Sequence, residues 1–351
     1  MYLQSINYFR GISILFIVAG HCYYLGQWQI NSLTAKIISN LITGGTTFFV
    51  FISGFLFHHI YYKKFNYRKF IIQKLKNVLS PYLICSVIAL IFLVFIKKSD
   101  PWGNAIFIPE HGLYENGRSF FLYLWTGSML TGYWYVPFIM ILFLLSPFFI
   151  FFIHFSPALK YGIFLVLLTV SLIIHRPVDN LSIIHSIVYF MPVYLLGILS
   201  SINKEKIYEK LKEKEILLLV LAIILAVTQA IFYDVQGNSH KAPFTITVLD
   251  IILIQKMVSC IFFMVFLNRF EKTNFLILDK LAAASFSIYF LHPFVVDFAL
   301  KYMRRINPLL YPMPASLRVW VHTFVLVFLC VFVAKGIKNL FPTKSRMLIG
   351  W

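Results

Sequence analysis

The sequence predicts an all-α fold: a polytopic integral membrane helical bundle with about ten transmembrane helices. Three observations predict it. Of the 351 residues, 60% are hydrophobic and only 13% are charged. The mean hydropathy is +0.81. The apolar residues also come in blocks of about 17–22, the length that crosses a hydrocarbon core. A soluble domain must cover its outside with polar residues, and this chain has too few of them.

The expected spans are 8–26, 44–62, 79–96, 132–153, 160–175, 185–202, 216–233, 249–267, 281–300 and 317–337. Residues 119–130 are also apolar and read as a re-entrant or interfacial segment. Together these blocks predict one membrane domain over 1–351 and no soluble domain. Cys22, Cys85, Cys260 and Cys330 each fall inside an apolar block, so no disulfide framework is expected. Val18 to Cys22 loosely resembles a lipoprotein cleavage site. His21 intervenes before the cysteine, so the segment reads as a retained helix.

A net charge of +18 in a soluble chain would suggest nucleic acid. Here the basic residues collect in alternate connections, as the positive-inside rule requires. No aromatic–basic motif of a nucleic-acid module is present. Lys63, Lys64, Arg68, Lys69, Lys74 and Lys76 follow the second span. Lys204, Lys206, Lys210, Lys212 and Lys214 follow the sixth, and Arg269, Lys272 and Lys280 the eighth. Lys335, Lys338, Lys344 and Arg346 follow the last. With ten spans these groups share one side, the expected cytoplasm, together with both termini. Lys301, Arg304 and Arg305 fall on the other side. The longest outer connection, about 97–131, carries Trp102, Glu110, His111, Glu115 and Arg118. Outer loops of this length are either solvated or cover a substrate site.

The first span carries the clearest chemistry. Arg10 and His21 are eleven positions apart, about 1,100° of helix rotation, or three turns plus roughly 20°. Both side chains therefore point to nearly one face, with a rise of about 16 Å between them. Arg10 is expected near the cytoplasmic surface and His21 further in. An ionisable residue within a span is costly and is a functional candidate. The structural alternatives are a snorkelling anchor for Arg10 and a neutral, hydrogen-bonded imidazole for His21. Functionally, a guanidinium holds phosphate, and an imidazole takes a proton from an attacking hydroxyl. A long thin ligand with phosphates at one end and a reactive thioester at the other fits such a pair. Acyl-coenzyme A has that shape.

The Arg-x10-His spacing resembles the signature of acyltransferase family 3. Phe48 to Leu56, with Ser53-Gly54-Phe55, is similar to its aromatic-rich second helix. Residues 70–83 resemble its basic stretch running into Pro-Tyr. Trp134-Tyr135-Val136-Pro137, followed by Leu145-Ser146-Pro147, resembles its Trp-Phe motif. Ser287 to Pro293 resembles its late Tyr-x-x-His-Pro motif. The motifs run in order over nearly the whole chain.

The resemblance implies an acyl-CoA-dependent O-acyltransferase, most often an O-acetyltransferase, in the bacterial plasma (inner) membrane. Its acceptors would be hydroxyls of exported or lipid-linked polysaccharide. No bound cofactor is expected, and acetyl-CoA or another acyl-CoA enters as donor substrate. The expected partners are membrane lipid, the donor and the glycan, without nucleic acid. The resemblance marks His21 and Arg10 as catalytic. Arg10, Arg68, Lys69, Lys74 and Lys76 are the donor-binding candidates. Relatives often place arginines in that basic stretch, where this chain has mostly lysines. Lysine holds phosphate as a point charge rather than bidentately.

Trp134, Tyr289, His292 and Ser53 are the candidate substrate contacts. Each has a structural alternative: helix packing for Ser53, a structural hydrogen bond for His292, and packing or an interfacial belt for Tyr289 and Trp134. Lys256 lies within a span after Asp250 and reads as an ion pair or as a ligand contact. His58 and His59 read as a solvated helix end. No metal-ligand spacing, Walker loop or dinucleotide fingerprint is present. A transporter or flippase of a lipid-linked or acylated glycan is the alternative class. A glycan polymerase would call for a larger, more charged outer loop.

Overall fold

A computed structural model of the chain describes residues 3–93, 113–233, 237–238, 240–242, 244–246, 248–310 and 312–351, with backbone only over 113–116 and 301–310. Trp102, Glu110 and His111 lie outside the described residues, as do the side chains of Glu115, Lys301, Arg304 and Arg305.

The protein is a helical membrane bundle. Among the described residues, eight helical stretches are long and apolar enough to cross a membrane. Helices α7 (Tyr135–Leu144) and α8 (Ser146–His154) are bent by 54° against each other and make a ninth, broken span. Pro147 in the first turn of α8 has no N–H to continue the ladder across that break. Helix α1 (Gln4–His21) also has 18 residues, and Gln4, Ser5, Asn7 and Arg10 lower its hydropathy. It packs against α3 (Gly45–Leu56), α13 (Ile251–Asn268), α14 (Leu276–Leu310) and α15 (Ala315–Leu340). Cys22, Cys85, Cys260 and Cys330 are free and buried.

Two segments differ from expectation. Residues 33–42, too short for a span, form α2 (Leu33–Ile42), started by the Ser32 hydroxyl accepting from Ala35 N–H at 3.1 Å. The basic stretch after the second span is helical rather than looped. It forms α4 (Tyr67–Lys74), a π turn and α5 (Ser80–Leu90), with Asn66 capping the start of α4.

Two buried charges are spent on helix ends. Lys256 does not pair with Asp250. Its ammonium donates to the carbonyls of Asn40 and Leu41 at 2.9 and 2.8 Å, where the end of α2 leaves carbonyls unpaired. Asp250 caps α13, accepting from Leu253 N–H at 3.2 Å, and also accepts from the Tyr189 hydroxyl at 2.9 Å. His58 is not a solvated end either: its Nδ1 lies 2.8 Å from Ser201 Oγ.

Helix α3 meets α10 (Ile183–Ile202) through glycines. A Cβ at Gly54 would lie 2.1 Å from the Tyr194 carbonyl oxygen, and one at Gly197 2.1 Å from that of Phe51. In lipid there is no hydrophobic drive between helices, so close backbone packing of this kind carries the association. Gly54→Val is therefore expected to cost at least about 3 kcal/mol. In detergent it should yield little folded monomer by size-exclusion chromatography, whereas Ser53→Ala should fold normally.

Candidate active site

A cavity of about 320 Å³ opens among α1, α3, the connection before α7, the Phe286–Tyr289 stretch of α14 and the connection between α9 (Pro157–Ile174) and α10. His21, the last residue of α1, lines it. Its Nδ1 lies 3.0 Å from Thr131 Oγ1. With the proton on Nδ1 donated to Thr131, Nε2 is left as a proton acceptor.

Gly132 brings its backbone close to this imidazole. Its φ of +82° is left-handed, a conformation that favours glycine. A Cβ there would lie 3.6 Å from His21 Nε2 and 3.8 Å from His292 Nε2, so both Nε2 atoms lie beside Gly132. Tyr289 fixes the turn by donating to the Gly132 carbonyl at 2.6 Å, and Tyr133 donates to the Phe290 carbonyl at 2.7 Å. The connection is thus fastened to α14 at two points.

His292 is fully buried, and its ring centroid lies 5.3 Å from that of His21. Its Nδ1 faces the carbonyls of Ile288 and Tyr289, at 3.1 and 2.8 Å. Carbonyls only accept, so Nδ1 carries the proton and Nε2 is a lone pair. That Nε2 has no partner among the described residues. An unpaired buried acceptor beside a second imidazole is costly and points to chemistry.

A second cavity, of about 280 Å³, is lined by Arg10, Lys74 and Arg346 and by no carboxylate among the described residues. Phe49, Val78 and Phe286 line both cavities, so Arg10 and His21 face two chambers with common walls. Arg10 is set by a chain of hydrogen bonds. Its Nη2 donates to Asn7 Oδ1 at 3.1 Å, and Asn7 Nδ2 donates to Asp279 at 2.9 Å. Glu271 accepts the first helical N–H groups, of Gln4 and Ser5, at 2.7 and 2.8 Å. Its carboxylate complements the positive end of α1.

The remaining sequence candidates divide. Lys74 enters the second cavity, with its ammonium 4.4 Å from the Phe143 ring centroid. Arg68, Lys69 and Lys76 are exposed and line neither cavity. At about 100° per residue they project roughly 120° or more away from Lys74 around the helix. Ser53 borders the second cavity, while the close packing expected of it falls to its neighbour Gly54. Trp134 and Tyr289 line the first cavity and are buried, so they form no interfacial belt. His292 lies behind that cavity rather than on its lining.

Sequence reasoning missed Arg176, Asn180 and His240, which line the first cavity, and Arg346 in the second. Arg176 is 6% exposed and carries its guanidinium 4.8 Å from the Trp134 ring centroid. Burial lowers its pKa to about 10, which keeps it charged near neutral pH. One signal pointed to it: an arginine in a very short connection between two apolar spans.

This architecture can hold an anionic ligand in one chamber and accept a proton in the next, inside a membrane-embedded bundle. Comparison with known families gives that class a name. The family model described as "Acyltransferase domain" matches residues 3–336, and the chain belongs to this family, acyltransferase family 3. No curated protein and no solved structure matches it.

Proposed function

We propose that this acyltransferase moves an acyl group, most often acetyl, from acyl-CoA to a hydroxyl of an exported or lipid-linked polysaccharide. The observation that carries the reading is the pair of adjoining chambers: one cationic and without a carboxylate among the described residues, the other lined by an imidazole. The protein works in the bacterial plasma membrane, with both termini and the donor on the cytoplasmic side. The alternation of basic connections supports that orientation.

Arg10, Lys74 and Arg346 hold the donor phosphates by charge-assisted hydrogen bonds. The pantetheine arm passes Phe49, Val78 and Phe286 and brings the thioester to His21. His21 Nε2 takes the proton of the acceptor hydroxyl as its oxygen attacks the thioester carbonyl. The tetrahedral adduct collapses, the carbon–sulfur bond breaks, and the proton on His21 passes to the leaving thiolate. The products are an ester and coenzyme A. His292, neutral and fixed through its Nδ1, turns its Nε2 lone pair toward the charge that builds on His21. It acts as a positioning residue. Trp134 and Tyr289 wall the acceptor side of the cavity.

The test is direct. Purified protein in nanodiscs, given acetyl-CoA labelled in the acetyl group and envelope polysaccharide, should transfer label to the glycan in alkali-labile ester linkage. It should release one coenzyme A per ester formed. Movement of glycan across the bilayer without consumption of acetyl-CoA would sink the reading in favour of transport.

A further inference from the structure

The first cavity holds a cation that the transfer chemistry above does not use. Arg176 pairs with His240 in a two-residue parallel β bridge between separate connections, which fixes its backbone. Its Nε donates to Asn180 Oδ1 at 2.7 Å. Its guanidinium lies over the rings of Trp134 and Phe190, at 4.8 and 5.6 Å from their centroids. The residues that shape this wall are held in unusual backbone: Asp179 and Asn180 have φ of 49° and 57°. Successive non-glycine residues in left-handed conformation cost energy and persist where the surroundings impose them.

The terminal nitrogens are what remain. No hydrogen bond of Arg176 among the described residues uses Nη1 or Nη2, and no carboxylate among them comes within ion-pair distance. Asp250 acts on Arg176 only through space and is engaged by Tyr189, by the start of α13 and by His175 at 3.7 Å, while the exposed Asp179, which lines the same cavity, makes no ion pair with it. A buried guanidinium without an ion-pair partner is expensive, and its planar fork matches an oxyanion bidentately. The stacked aromatic faces beneath it hold the fork open toward the cavity.

We propose that Arg176 is the core of an oxyanion subsite for the acceptor, so that the glycan modified here carries a carboxylate or a phosphate near the hydroxyl that is acylated. Asn180 orients the guanidinium, and Trp134 provides the face on which it rests. This rests on the reading of the cavity as the acceptor chamber. The anion comes either from an acidic sugar of the polymer or from the phosphate that joins a glycan to its lipid carrier.

The experiment measures binding, which needs no turnover. Intrinsic fluorescence titrations of the full-length protein in nanodiscs use three probes: glucuronate, glucose 1-phosphate and neutral methyl glucoside. The expected result is that at least one anionic probe binds the unaltered protein tenfold or more tighter than the glucoside. Arg176→Gln should abolish that preference without lowering the melting temperature, and Arg176→Lys should keep part of it. Preference for glucuronate alone assigns the acidic sugar, preference for glucose 1-phosphate alone assigns the carrier phosphate, and both support the subsite. The proposal is overturned if neither anion binds better than the glucoside. It is equally overturned if the preference survives Arg176→Gln or is lost instead in Arg346→Gln. Acetyl-CoA consumption is measured in parallel. Turnover without anion preference would remove the subsite and keep the acyltransfer reading, whereas anion preference without turnover would do the reverse.

Discussion

Replacing His21 with alanine is expected to lower acyl transfer by about 10²- to 10⁴-fold, the usual range for loss of a general base. The half-saturating acyl-CoA concentration should be nearly unchanged, because His21 lines the chamber beyond the one that holds Arg10. Such a split, with turnover lost and donor affinity kept, marks an interaction made in the transition state. His21→Gln is the informative companion. It can still bond to Thr131, which lies 3.0 Å from Nδ1 in the native protein, but it cannot carry a proton. Equal loss in both variants assigns proton transfer; retention of activity in His21→Gln would reduce the imidazole to a structural part.

Removing the cations of the other chamber should give the opposite split. Arg10→Ala is expected to raise the half-saturating acyl-CoA concentration by about 10- to 100-fold, from the roughly 1.5–3 kcal/mol of a hydrogen bond to a charged group. Turnover at saturation should fall much less. Lys74→Gln and Arg346→Gln should act the same way, whereas Arg68→Gln, Lys69→Gln and Lys76→Gln should change little, because those side chains are exposed. Arg10→Lys should recover only part of the loss, since an ammonium cannot reproduce a bidentate fork. Initial-rate kinetics across acyl-CoA concentrations separate the two effects.

Much of the fold was legible because membrane thickness acts on sequence directly. Expected and observed spans coincide within a few residues at Pro157–Ile174, Ile183–Ile202, Glu215–Phe232 and Ile251–Asn268, where nothing interrupts the apolar run. Helix α2 was not legible, because ten residues are too few to signal a span, and what holds it is packing against the distant helix Glu215–Phe232 together with capping by Ser32 and Lys256. That Arg10 and His21 share one helix was legible from the apolar run, and the structure has them on the single uninterrupted element Gln4–His21. Lys74 could be separated from Lys69 and Lys76 only once that segment was known to be helical. Arg176 and Arg346 were hidden for another reason. Each sits outside a regular span, and its place in a cavity is set by contacts far apart in the chain: the pairing of Arg176 with His240, and the packing of the short helix Ser345–Ile349, which carries Arg346, on α5. The partner of Lys256 was misread because an acid six residues earlier looked closer than the end of a helix 215 residues away.

The most direct measurement is a structure of the protein bound to a non-hydrolysable acyl-CoA analogue in which a methylene replaces the thioester sulfur. The expected density places the phosphates within hydrogen-bond reach of Arg10, Lys74 and Arg346, and the acyl carbonyl beside His21, about 3 Å from where an attacking hydroxyl could meet Nε2. Phosphates seated away from Arg10, or an acyl group that never enters the chamber of His21, would contradict the account.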